Sequence, residues 1–148
     1  MLPQIYGEYV APGRVELIFL DLPLNEIHPD ALLAARAAHC AGEQDLFWEM
    51  HHQLFANRAA LKRDDLELYA DELNVDLDAF NECLDSRRHT AAIRNDAMLL
   101  NRVGVRSTPT YLLGERIPET ERVRVVKVLK GSQSVEELSA AIDTLLSK

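Results

Sequence analysis

The first quarter of the chain carries a continuous apolar run rather than an alternating one. Residues 15–22 (VELIFLDL) are nearly all apolar and rich in β-branched and aromatic types, which predicts a strand buried on both faces. Pro12 and Gly13 mark a turn before this run. Residues 3–11 are predicted to form one or two helical turns, with a proline near the start. The order predicts a short helix followed by a buried strand.

Helical spacing takes over from about residue 29. Apolar residues recur at intervals of three and four, and glycine or polar capping residues separate the runs. The predicted helices are residues 29–41 ending at Gly42, Glu43 to Asn57, one capped by Asp64, one capped by Asp76, and His89 to Arg102. The middle of the chain is therefore predicted to be entirely helical.

Strand patterns return after Pro109. The segments TYLLG (110–114) and VRVVKVLKG (123–131) are predicted to pair as a hairpin with a long charged loop. Ser134 and Glu137 form a capping box for a last helix. Pro109 lies between two threonines at the strand entry, where its missing N–H is tolerated and where an X–Pro bond is a candidate for the cis form.

Length and charge narrow the classes of function. The 148 residues predict a single domain, and the net charge of −8 argues against a nucleic-acid partner. No apolar run approaches the roughly 20 residues that a membrane-spanning helix needs. No signal peptide follows Met1, so as written the sequence predicts a cytoplasmic chain.

The five histidines do not form a metal motif. His51 and His52 are adjacent, and neighbouring helical residues point to different faces. His39 precedes Cys40, but the sequence has no H-x-x-x-H and no C-x-x-C. No glycine-rich phosphate loop is present either. We expect no metal and no cofactor.

The two cysteines, Cys40 and Cys83, leave alternatives open. They are 43 positions apart, and neither has cationic neighbours that would make it a reactive thiol. Two separate buried thiols are one interpretation. A structural disulfide is the other, and it would require an oxidising compartment.

Several segments together resemble the DsbA-like branch of the thioredoxin-fold superfamily. The resemblance covers essentially the whole chain in the family's order, and its most specific parts are the CAGEQ–FWEMH stretch and the GV-x-x-TPT stretch. The matching segments are LPQIYGEYV, PGRVELIFLDLPL, HPDALLAARAAHCAGEQDLFWEMHHQLFAN, LYADEL, FNECLDS, GVRSTPTYLLG and VVKVLKG with EELSAAIDTLL.

This resemblance implies an α/β thioredoxin-like fold with a helical insertion at about residues 29–103. It implies thiol–disulfide exchange as the family activity, with no cofactor. Ser107, Thr108 and Pro109 map to the family's cis-proline loop, which binds an extended polypeptide substrate or thiol partner. The family often has Gly where this chain has Ser107. Cys40 and Cys83 map to the insertion, where relatives sometimes carry a structural disulfide.

One family feature is absent from the sequence: the C-x-x-C and the strand that carries it. In the family both precede the segment that resembles residues 2–5. Three arrangements are open: a true start further upstream, a homodimer in which a second chain covers the exposed strand edges, or direct pairing of the flanking strands. An upstream start would also fit the periplasmic location that is common in the family.

Three functions follow from that absence. The first is a protein disulfide oxidoreductase whose redox cysteines lie upstream, so that this chain by itself is inactive. The second is a non-catalytic peptide-binding module. The third is a relative of the kappa glutathione transferase and isomerase branch. No catalytic residue is expected among the 148 positions themselves.

Overall fold

The computed structural model describes residues 2–120 and 122–147. A short helix α1 and a π-helical turn open the chain, five helices follow, and a hairpin and a last helix complete it. The elements are α1 (Leu2–Ile5), the π-helical turn (Tyr6–Val10), α2 (Ala31–Gly42), α3 (Phe47–Ala56), α4 (Arg63–Glu72), α5 (Leu77–Ser86), α6 (Thr90–Arg102), β1 (Thr110–Arg116), β2 (Val123–Lys130) and α7 (Val135–Leu146).

The chain divides into two compact units. The sheet unit contains the residues up to Phe19 and those from Val105 onward, and the helical unit is Leu20–Gly104. The prediction of one domain over residues 1–148 stays a prediction. Among the described residues, no helix has both the length and the apolar character that crossing a membrane requires.

The sheet unit is built on an antiparallel pair of strands. β1 and β2 pair from Thr110 opposite Lys130 to Arg116 opposite Val123, with an irregularity between Leu113 and Gly114. A small core lies between this hairpin and the terminal helices. Its buried residues are Ile5, Tyr9, Leu138 and Ile142, against which Val15, Tyr111, Leu113, Leu129 and Val135 pack.

The helical unit has the larger core. Small residues on α2 allow close packing, and larger side chains from α3, α4 and α5 fill the space around them. The buried residues of this core are Ala34, Ala37, Ala38, Cys40, Ala41, Met50, Leu54, Leu66, Tyr69, Ala70, Val75, Phe80, Cys83 and Leu84.

The prediction of a strand at residues 15–22 is wrong. The segment carries no strand assignment, and β1 with β2 forms the only sheet within residues 2–120 and 122–147. Ile18 and Phe19 are accordingly 53% and 36% exposed. An apolar run becomes a strand only when a neighbour supplies ladder hydrogen bonds, and no described segment does so here. Direct pairing of this segment with β1 is therefore not observed.

Side-chain caps that the sequence predicted explain the starts of α5 and α7 but not of α4, where Asp64 lies inside the helix. Asp76 Oδ1 accepts the Ala79 N–H at 3.0 Å at the start of α5. Ser134 and Glu137 form the predicted capping box of α7. The helix predicted from Glu43 instead begins at Phe47. Asp45 adopts a φ of 62°, which ends helical geometry between α2 and α3.

Candidate functional site

The loop Ser107–Pro109 leads from α6 into β1. All three of its residues are exposed, whereas Val105 just before it is 4% exposed. The Thr108–Pro109 peptide bond is cis. The structure therefore places the three residues predicted to bind substrate next to one another on an accessible surface. Their binding role stays a prediction.

Hydrogen bonds hold both sides of this loop. Thr110 Oγ1 donates to the Ser107 carbonyl at 2.7 Å, and Gly131 N–H donates to the Pro109 carbonyl at 2.9 Å. Between them, the N–H and C=O of Thr108 make no hydrogen bond with any residue that the structure describes. The backbone of Thr108 is thus fixed in position while its polar groups face solvent.

The two cysteines are joined in a disulfide inside the helical unit. Cys40 on α2 and Cys83 on α5 have Cα atoms 5.7 Å apart, and each is 1% exposed. The interpretation as two separate buried thiols is therefore wrong. Because the sequence has only these two cysteines, the chain contains no free thiol to attack a substrate disulfide.

A charged group lies beside this disulfide. Glu43 Oε1 is 2.7 Å from His89 Nε2 and accepts a hydrogen bond from Arg88 Nε at 2.8 Å. Arg88, followed by His89, lowers the pKa of Glu43 to about 2. One ligand-type atom from each of Cys40, Cys83 and His89 falls within 4.8 Å of the others. The group thus brings a histidine and a fixed carboxylate to the edge of the bridge.

A second histidine packs against the first. His39 and His89 stack with ring centroids 5.2 Å apart and an interplanar angle of 23°. His39 Nε2 lies 2.7 Å from Asp21 Oδ2, and Asp21 is only 6% exposed. The hydrogen bond to Asp21 raises the pKa of His39, although partial burial opposes it. Asp21 N–H in turn donates to Asp96 Oδ2 at 3.2 Å.

His51 has a different environment from its neighbour His52. It is 3% exposed and contacts the rings of Phe47, Trp48 and Phe55, whereas His52 is exposed. Burial, with a smaller contribution from His52, lowers the pKa of His51 to about 4. The two adjacent histidines therefore differ in exposure, although their ring centroids lie only 5.7 Å apart.

Sequence reasoning missed the grouping of Glu43, His89 and the disulfide. These residues come from the end of α2, from α5 and from the residue before α6. Their separations along the chain match no motif with fixed spacing. The sequence offered one indication of this grouping: His39 is adjacent to Cys40, and His89 is adjacent to Arg88.

Comparisons with known proteins agree on the fold. A family model described as Thioredoxin matches residues 1–144. The crystal structure of Wolbachia pipientis alpha-DsbA1 superposes with a TM-score of 0.80 at 22% identity, over 99% of this chain and 75% of that one. At that identity the match establishes a DsbA-like thioredoxin fold.

The curated relatives carry a different name. The Na(+)/H(+) antiporter NhaA 1 of Salinispora arenicola is 38% identical over 129 residues, which cover 87% of this chain and 18% of that protein. The Na(+)/H(+) antiporter NhaA of Herminiimonas arsenicoxydans is 33% identical over 108 residues, covering 72% and 17%. The chain thus spans less than a fifth of the length of these relatives.

Proposed function

The chain belongs to the thioredoxin family, and on that premise we propose that it is the substrate-binding part of a protein thiol–disulfide oxidoreductase. An extended polypeptide lies along the loop Ser107–Pro109 and pairs with the backbone of Thr108. The redox-active cysteine pair is supplied from outside these 148 residues, because the sequence holds no C-x-x-C. The isolated chain is therefore inactive in disulfide exchange.

The free backbone of Thr108 carries this proposal. Thr108 is exposed, and its N–H and C=O bond to no residue within 2–120 and 122–147; on a loop held at both sides, such groups match what an added strand needs. The loop is fixed before binding, so little conformational entropy is lost when a peptide docks. The side chains of Ser107, Thr108 and Pro109 are small and uncharged, which suits binding to peptides of varied sequence.

Peptide titration followed by backbone amide NMR tests the proposal. An extended peptide should shift the Thr108 amide, and N-methylation of the pairing residue should weaken binding by about 0.5–1.5 kcal/mol per lost hydrogen bond. Thr108→Asp should weaken binding, whereas Thr120→Asp on the β1–β2 loop should not. Shifts confined to other surfaces, or affinity unchanged by N-methylation, would count against the loop.

An insulin reduction assay tests the second part of the proposal, that the isolated chain is inactive in disulfide exchange. The chain should not accelerate reduction by dithiothreitol beyond the protein-free rate, since its only cysteines are bridged and buried. Turnover that disappears when Cys40 is replaced by Ala would show that the chain carries its own redox centre, and the proposal would then be wrong.

The antiporter similarity favours a second candidate setting. With 38% identity over 129 residues, the chain is proposed alternatively as the thioredoxin-fold part of a sodium/proton antiporter. Antibodies against residues 2–147 distinguish the two settings by cell fractionation and immunoblotting. A membrane-bound product several times the size of this chain supports the antiporter setting, and a product of 148 residues outside the membrane fraction rejects it.

The oxidoreductase proposal includes an extracytoplasmic location. Disulfides persist in oxidising compartments, and the Cys40–Cys83 bridge is the observation that supports this location.

The glutathione transferase alternative is not favoured, since the matched family and the superposed structure are thioredoxin-like and DsbA-like.

A further inference from the structure

The disulfide and its charged neighbours have the composition of a zinc site. Ligand-type atoms of Cys40, Cys83 and His89 lie within 4.8 Å of one another, although the residues come from α2, from α5 and from the turn before α6. Two cysteines and a histidine are a ligand set typical of zinc. In the bridged state the sulfurs are bonded to each other and offer no thiolate.

We propose that two-electron reduction of the Cys40–Cys83 bridge converts this cluster into a Zn²⁺ site, with both thiolates and the His89 imidazole as ligands. A dithiol reductant passes two electrons and two protons to the bridge and becomes a disulfide itself. Zn²⁺ then displaces the two thiol protons as two Zn–S bonds form. A disulfide oxidant reverses the process: it accepts the two electrons, takes two protons from water and becomes a dithiol, while the S–S bond re-forms and the metal is released.

The backbone already has the spacing that such a site needs. Tetrahedral zinc with Zn–S bonds of about 2.3 Å holds its two sulfurs roughly 3.8 Å apart. Cα atoms 5.7 Å apart allow that separation through side-chain rotation alone. α2 and α5 therefore do not have to move when the bridge opens and the metal enters.

Glu43 gives His89 the second partner that metal-bound histidines ordinarily have. Its Oε1 lies 2.7 Å from His89 Nε2, and a carboxylate on one ring nitrogen orients the other toward a metal. Since Glu43 occupies Nε2, the proposed site uses Nδ1 as the ligand. Arg88 binds both carboxylate oxygens of Glu43 and keeps this carboxylate in place.

Burial and charge favour zinc-bound thiolates over thiolates without a metal. Cys40 and Cys83 are each 1% exposed, and unpaired thiolates are costly at such a position. Two thiolates and one Zn²⁺ sum to zero charge. The His89 side chain is 24% exposed, so the fourth coordination position is reached by water from that side. His39 is held by Asp21 and is not counted among the ligands.

Zinc titration of the full 148-residue chain tests the proposal. The chain is reduced anaerobically with a phosphine, which takes up the oxygen of one water as it becomes a phosphine oxide, and is then desalted. Zn²⁺ is added in competition with a chromophoric chelator. We expect one Zn²⁺ per reduced chain, protection of both thiols from iodoacetamide, and no comparable binding by the oxidised chain.

Variants identify the ligands. His89→Ala should weaken zinc binding by at least tenfold, and Glu43→Gln by about 10–100-fold, as for other carboxylates that hold a metal-bound histidine. His28→Ala, at an exposed position, should bind zinc as the parent does. Circular dichroism of each oxidised variant checks folding, because the bridge holds α2 and α5 together in that state.

Co²⁺ provides a readout that depends on geometry. The reduced chain should show thiolate-to-cobalt charge transfer and the intense visible bands of a tetrahedral site. Absence of zinc binding after reduction, equal binding by the oxidised chain, or a folded His89→Ala variant with parental affinity would each overturn the proposal.

Discussion

His39 Nε2 lies 2.7 Å from Asp21 Oδ2, in a pair whose carboxylate is almost entirely buried. Asp21 belongs to the segment without assigned secondary structure before α2, and His39 belongs to α2 itself. The contact therefore ties a segment without ladder hydrogen bonds to the main helix of the helical unit.

Asp21→Asn should lower the pKa of His39, because the hydrogen bond to Asp21 is the main cause of its raised value. NMR titration of the His39 ring measures this change directly. The loss of unfolding free energy should be about 1–3 kcal/mol, as for other buried polar partners that are removed.

The pH dependence of this pair has a defined sign. The folded pKa of His39 is raised above 6.5, so the contribution of the pair is complete below pH 6.5 and is lost as pH rises through the folded value. Asp71→Asn, at an exposed position, is the matched control. An unchanged His39 titration in Asp21→Asn would show that Asp21 is not the cause.

His51 should produce the opposite dependence. Its folded pKa of about 4 lies below the ordinary 6.5, so the unfolded chain takes up a proton first as the pH falls. Stability should decrease by up to about 3 kcal/mol between pH 6.5 and 4. Urea unfolding at pH 7 and pH 4 measures the difference.

His51→Leu should remove this part of the acid sensitivity while keeping the site apolar. His28→Ala should retain it, because His28 is exposed. If His51→Leu and the parent chain lose equal stability on acidification, another group is responsible.

Removing the disulfide should destabilise the chain. The bridge closes a loop between positions 43 residues apart, and disulfides of that span contribute about 2–4 kcal/mol. Replacing both cysteines with Ala should lower the free energy of unfolding by that amount, which appears as a lower urea midpoint. A phosphine reductant with a zinc chelator should have a similar effect on the parent and none on the double variant. An unchanged midpoint would show that packing alone holds α2 against α5.

Gly114→Ala should destabilise the hairpin. A Cβ at Gly114 would lie 2.6 Å from the Arg124 carbonyl oxygen and 2.6 Å from Val123 Cγ1. Relieving that overlap requires movement of backbone, and overpacking typically costs about 1–3 kcal/mol. Gly7→Ala is the control, since a Cβ there meets nothing within 4 Å. Equal thermal midpoints for both variants would contradict the close approach at Gly114.

The helices could be predicted because their signals are local. Apolar spacing located α2, α4, α5, α6 and α7, and capping residues such as Asp76 and Ser134 fixed individual ends. Residues 15–22 were predicted wrongly because strand formation depends on a neighbour, and an apolar run contains no information about one. The start of α3 depended on the backbone conformation of Asp45.

The loop Ser107–Pro109 could be located because a proline at the entry of a strand is tolerated there and is a candidate for a cis peptide bond. The group around His89 could not be located, since it depends on how α2, α5 and the start of α6 pack. Spacing in a sequence reports contacts within one helix or hairpin. It does not report which side chains meet when separate helices pack.

The bridge between α2 and α5 also determines how the chain responds to being cut. Residues 57–62 connect α3 and α4, and we expect trypsin to cleave after Arg58 because this residue is exposed in a turn. Cleavage after Arg58 would fall between Cys40 and Cys83, so the two fragments stay covalently attached. On a gel the nicked protein runs as one band until a reductant is added, and then it separates into two.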